Sequence, residues 1–144
     1  MRRRLFLWRL ITLAWMVEIF WLSTETFAGD HTRFLLAGIV NFAHLSITGN
    51  TIDMANTIGR KVSHLIEYAI FSFCLYRSLG GRDQLSVHPH LPMWCIVGAA
   101  AQSLGDELHQ AFVLGRNASL IDCGIDTAGA AISMLLVYRS VHLK

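Results

Sequence analysis

The chain has 144 residues, 53% of them hydrophobic and 15% charged, with a formal net charge of +2 and a mean hydropathy of +0.45. Soluble domains run at about 25% charged, so the deficit points to a lipid environment and away from a soluble globular domain. So small a net charge, with neither a basic helix nor interleaved basic and aromatic residues, excludes nucleic acid as a partner.

The first apolar stretch, residues 5–22, follows Arg2, Arg3 and Arg4 and holds Trp8, Trp15 and Trp21. About 20 apolar residues cross the hydrocarbon core, so this stretch spans with a slight tilt. A cleaved signal peptide is the rival reading. Its length, its bulk and the poor small-residue site near Ala28 favour a retained anchor. Residues 34–47 are apolar but short, and contain Asn41 and His44; a stretch of this length reads as interfacial or re-entrant. The second span covers 57–79 and ends at Gly80-Gly81, a paired glycine that favours a turn. Pro89 and Pro92 bracket the entry to a third span over 91–114. A short turn with Gly115 and Arg116 leads to a fourth over 119–138. The expected architecture is all-α, a single transmembrane domain over residues 1–144 with about four membrane-spanning helices and one interfacial or re-entrant segment.

Cytoplasmic loops carry the excess of Lys and Arg near span ends. With the N-terminus inside, Arg2, Arg3, Arg4, Arg9, Arg77, Arg82, Arg139 and Lys144 stand at inner ends, and Arg33, Arg60, Lys61 and Arg116 at outer ends. This bias predicts both termini on the cytoplasmic side. It also gathers the ionisable residues of the spans into the outer half of the bundle, where Ser23 and Glu25 mark the exit of the first span.

Ionisable groups at membrane depth cost roughly 2.5–3.5 kcal/mol each on insertion scales, so they face a protein interior or a wet cavity. Lys61, His64, Glu67 and Tyr68 fall at i, i+3, i+6 and i+7, one helical face over two turns. That face is either a hydrogen-bonded seam between helices or the wall of a pocket. Asp106 and Gln110 share a face at i, i+4, with Glu107 about 100° around the helix. The adjacent carboxylates must be paired, hydrated or protonated, with Arg116, Lys61 and His64 as the available cations. Asp122 and Asp126 are again i, i+4 near the start of the last helix, where the helix dipole alone accounts for Asp122 and not for Asp126. Arg116 is either a fork for carboxylate or phosphate, or a salt bridge that fixes the hairpin.

Catalytic templates mostly fail. HExxH, GxSxG and a glycine-rich phosphate loop are absent from the sequence, which removes support for zincin, hydrolase-elbow and P-loop chemistry. Ser23, Ser63, Ser103 and Ser119 are each eligible nucleophiles, and nothing singles one out. A metal site from His64, Glu67, Glu107 and His109 lacks diagnostic spacing. Cys74, Cys95 and Cys123 are isolated, without a CxxC pair, and read as small apolar helix residues. Neither a metal nor a cofactor is expected. Asn117-Ala118-Ser119 matches a glycosylation acceptor by accident of composition.

At these residues the chain resembles the VanZ-like family of small bacterial membrane proteins, named for a teicoplanin-resistance accessory protein. Asp106-Glu107-Leu108-His109-Gln110-Ala111-Phe112, followed by Arg116, Ser119 and Asp122, is similar to one signature block. Lys61, His64, Glu67 and Tyr68 match an earlier K-x-x-H-x-x-E-Y block, and Ser23-Thr24-Glu25 its serine-containing exit. Asp126 and Gly129 fall where the family has a polar residue and a glycine. Arg60 departs from the acidic or small polar residue often found before the lysine, Asp126 stands where asparagine is frequent, and no proline follows Ser23. The resemblance implies four or five transmembrane helices, the bacterial cytoplasmic membrane, a cell-envelope role and, through the namesake, a link to glycopeptide resistance.

The expected function is binding or remodelling of an anionic envelope lipid or lipid-linked cell-wall precursor. Arg116 and Lys61 would meet the head group, and Asp106, Glu107 and Gln110 would complete the pocket with His64, Glu67, Tyr68, Ser119, Asp122 and Asp126. An integral membrane enzyme is one alternative, with His64 as general base and Asp106 or Glu107 as its partner. A small proton-coupled carrier is another, which at this length requires self-association. The last is a bundle whose polar core only holds helices together.

Overall fold

The structure, a computed structural model, describes residues 2–24, 29–44, 46–81, 83, 88–113 and 118–142. Glu25, Ala28, Arg82, Arg116, Asn117 and Lys144, together with the rest of residues 114–117, lie outside them. Among the described residues the protein is all-helical: α1 (Arg2–Leu22), α2 (Gly29–Phe42), α3 (Gly49–Ser78), α4 (Leu91–Gln110) and α5 (Leu120–His142).

The expected spans correspond to α1, α3, α4 and α5, with shifted ends. The helix expected to start at residue 57 begins at Gly49. Its polar opening turns are held against α2, where Thr32 donates to Asn56 at 2.8 Å and Arg33 pairs with Asp53. The short apolar stretch at 34–47 falls on a helix that starts at Gly29 and ends at Phe42, before His44 turns into the left-handed region at φ 52°. The helix of the third expected span, α4, stops at Gln110 rather than 114, and that of the fourth, α5, continues to His142.

Local chemistry sets the ends. Past Ser78, Gly80 and Gly81 take φ values of 106° and 56°. The Gly81 N–H returns to Tyr76 O at 2.9 Å and that of Gly80 to Arg77 O at 3.3 Å. That pair of bonds is a Schellman stop, which needs the left-handed glycine. Pro92 sits in the first turn of α4, where its missing N–H has no helical partner to lose.

α3 packs against all four other helices, most extensively against α5. α1 runs antiparallel to it: Trp8 meets Phe73 edge-on at 5.9 Å, Arg77 covers the Trp8 ring at 4.9 Å, and Trp15 Nε1 donates to Glu67 O at 3.0 Å. α3 and α5 run parallel, and Gly129 lets them touch. A Cβ there would strike the backbone of Leu65. One end of the bundle is apolar, built from Tyr76, Leu91, Cys95, Met134 and Val137, and a second cluster of Ile19, Tyr68, Phe71, Ala99 and Ala130 lies next to it. The opposite end is polar.

α1 and residues Leu120–Val141 of α5 are long and apolar enough to cross a membrane. Phe6, Leu7, Val17 and Trp21 on α1, with Leu120, Ile121 and Leu136 on α5, stand exposed, a density of outward apolar residues unusual for a water-soluble monomer. Lys61, His64 and Glu67 of α3 and Asp106, Glu107 and Gln110 of α4 lie toward the polar end of the bundle, whereas Arg77 covers Trp8 at the other end, and those helices fall outside the same hydropathy standard.

Candidate functional site

On α4, Ser103, Asp106 and Gln110 occupy i, i+3 and i+7 and share the buried face. Ser23, just past the end of α1, donates from Oγ to Asp106 Oδ1 at 2.5 Å. Gln110 Nε2 donates to Asp106 Oδ2 at 2.9 Å and lies 3.4 Å from Ser23 Oγ. Both oxygens of Asp106 are therefore occupied, and the knot fastens α1 to α4. Phe20 stacks on His109 at 4.2 Å beside it.

Asp126 is fully buried. Ser103 Oγ donates to its Oδ2 at 2.5 Å, and His64 Nδ1 lies 3.4 Å from its Oδ1. That second approach is close enough for attraction but outside hydrogen-bonding geometry, which leaves Nδ1 and Oδ1 without a hydrogen-bond partner. The carboxylate stands between serine and histidine. Nucleophilic catalysis by the Ser-His-Asp plan needs histidine in the middle, so Ser103 is not an activated nucleophile in this arrangement. Tyr68 lies deeper, in the apolar cluster, with its hydroxyl buried and lacking a well-formed hydrogen bond.

Lys61 Nζ donates to Asp122 Oδ1 at 2.7 Å, joining α3 to the first turn of α5. Glu107 reaches the other side of that helix start. Its Oε2 accepts the Ser119 backbone N–H at 2.6 Å, while Ser119 O receives the N–H groups of Asp122 and Cys123. A carboxylate at this terminus satisfies an orphan donor and complements the helix dipole. Glu107 Oε1 is buried and has no hydrogen-bond partner among the described residues.

A cavity of about 140 Å³ opens between α1, α2 and α3. Leu22 and Ser23 line it from α1, Thr32 from α2, and Arg60, Ser63, His64 and Glu67 from α3. It holds roughly four to five water volumes at about 30 Å³ each. Arg60 is half-buried and makes no ion pair with a described residue. Glu67 lines the same cavity, while its backbone carbonyl holds Trp15.

Of the residues singled out in the sequence, Asp106 and Gln110 come together with Ser23, Lys61 with Asp122, Glu107 with Ser119, and His64 with Asp126. Only His64 and Glu67 of the expected set line the cavity, and Arg116 lies outside the described residues. Ser103 was legible only as one serine among several. Its i−3 spacing from Asp106 was the signal that places it on the buried face. Arg60 and Ser63 stand at i−7 and i−4 from Glu67, and the same helical count would have put them on the cavity wall. Among the described residues no three His, Cys, Asp or Glu side chains group to hold a metal ion.

The chain matches the family model described as VanZ/LLP1 over residues 8–142, nearly its whole length, and it belongs to that family. The membership expected from the two motif blocks is thereby shown. No curated protein and no solved structure matches the chain.

Proposed function

We propose that this VanZ/LLP1 protein is a multi-pass protein of the bacterial cytoplasmic membrane, with both termini on the cytoplasmic side. It binds the phosphate-bearing head group of an envelope lipid or lipid-linked cell-wall precursor in the cavity between α1, α2 and α3. The supporting observation is the cavity wall: a half-buried arginine without an ion pair among the described residues, beside Ser23, Thr32, Ser63 and His64. An arginine fork suits phosphate oxygens, and the Ser63 hydroxyl supplies a neutral donor, those of Ser23 and Thr32 being given to Asp106 and Asn56. Lys61 has its charge engaged by Asp122, so Arg60 takes the head-group role. The Asp106 knot and the Asp126 cluster hold the four long helices around that wall. Antiparallel α1 and α3, and parallel α3 and α5, agree with alternate crossings.

Purified protein in neutral maltoside micelles, titrated with phosphatidylglycerol, tests the reading. A charge-assisted hydrogen-bond pair contributes about 1.5–3 kcal/mol, so Arg60→Ala is expected to weaken binding at least tenfold. Unchanged affinity in that variant would refute it.

A second reading, an enzyme acting on the bound head group, draws on one observation. Asp126 stands behind His64 Nδ1 while the imidazole lines the cavity, the order in which a carboxylate orients a histidine base. Product formation from radiolabelled lipid, abolished in His64→Ala, would support it; no product from a broad lipid panel sinks it.

A further inference from the structure

The cavity carries charge of both signs. Arg60 and Glu67 both line it, seven residues apart on α3, which separates their backbone positions by about 10 Å along the helix axis at 1.5 Å per residue. Among the described residues neither side chain has an ion pair, and the one other ionisable group on the wall, His64, is drawn toward Asp126. A simple anion seated at Arg60 would meet the repulsion of Glu67. A ligand that carries a phosphate at one end and an amine at the other satisfies both walls. At about 140 Å³ the cavity is smaller than the 300–1,000 Å³ typical of drug-sized ligands, a size that suits a short head group.

We infer that the site recognises a zwitterionic phosphate–amine head group of the phosphoethanolamine class, with Arg60 on the phosphate, Glu67 on the ammonium and Ser63 between them on the same helix face. The inference rests on the head-group reading above and adds the amine. The same chemistry reaches the site either as the head of a membrane lipid or as a free small molecule.

Titration of the full chain in neutral maltoside micelles with phosphoethanolamine, inorganic phosphate and ethanolamine separates these ideas. Phosphoethanolamine is expected to bind at least tenfold tighter than inorganic phosphate. Glu67→Gln is expected to abolish that preference while keeping phosphate binding, and Glu67→Asp to restore part of it. The Gln variant keeps the backbone carbonyl that holds Trp15, so the α1–α3 contact survives it. Equal binding of phosphoethanolamine and phosphate by the natural chain, or a preference that survives in Glu67→Gln, overturns the inference and leaves head-group binding standing. Binding of all three probes unaffected by Arg60→Ala overturns both. Displacement of phosphoethanolamine at least tenfold more readily by phosphatidylethanolamine than by phosphatidylglycerol identifies the lipid as the source. Displacement by neither identifies the free compound, and the inferred chemistry holds in both cases. Displacement by phosphatidylglycerol as readily as by phosphatidylethanolamine counts against the amine contact.

Discussion

Gly129 is the position where a single added carbon should be felt most. Its would-be Cβ falls on the Leu65 carbonyl oxygen, with the carbonyl carbon at 3.0 Å and Cα at 3.2 Å. Overpacking costs roughly 1–3 kcal/mol when a side chain can shift aside. Here the obstacle is the backbone of α3, so the upper half of that range, about 2–3 kcal/mol, applies. Alanine returns about 0.5–1 kcal/mol through its better helix propensity. The net expectation for Gly129→Ala is a loss of about 1–2.5 kcal/mol. Forcing α3 and α5 apart at Leu65 also moves the adjacent His64 away from Asp126, one turn before Gly129. Denaturation in mixed micelles, followed by the fluorescence of Trp8 and Trp15 against α3, measures the loss. Gly105→Ala and Gly124→Ala serve as controls, because nothing lies within 4 Å of a Cβ at either position, and each is expected to be neutral or stabilising. Equal stability of Gly129→Ala and the natural chain, within about 0.5 kcal/mol, would refute the close-approach reasoning.

Two further outcomes test the polar knot and its exposed counterpart. Ser23→Ala and Asp106→Asn are each expected to cost about 1–3 kcal/mol, because the partner left behind is buried. A double-mutant cycle should give a coupling of roughly 0.5–3 kcal/mol, and strict additivity would show that the two residues do not depend on one another. Asp53→Ala should cost under about 1 kcal/mol, and less in high salt, since both side chains of the Arg33–Asp53 pair are 50% exposed; a larger loss would show that the start of α3 leans on that pair.

The sequence carried the helical class and the pairing of its motif blocks because both depend on period. Lys61 and His64, and Asp122 and Asp126, sit on faces that helical counting alone can find, and the structure brings those faces together. What counting cannot supply is the partner across a gap in the chain. Asp126 was an unexplained carboxylate until Ser103, on another helix, bonded to it. Glu107, for which pairing, hydration and protonation stood open, bonds a backbone N–H at the start of α5, a demand that no side-chain pattern records. The start of α3 was hidden for a similar reason. Residues 49–56 look like a loop by polarity, yet Asp53 and Asn56 find their complement on α2.

The bond from Ser23 to Asp106 joins residues 83 apart in the chain, and that interval is a delay during synthesis. At about 5–20 residues per second, α1 waits roughly 4–17 s between its own emergence and that of the carboxylate that fastens it. In the folded protein Ser23 also bonds back to Ile19 O in its own last turn, at 3.1 Å, a contact that needs no later residue. The final position of the first helix is therefore set late, by the fourth helix.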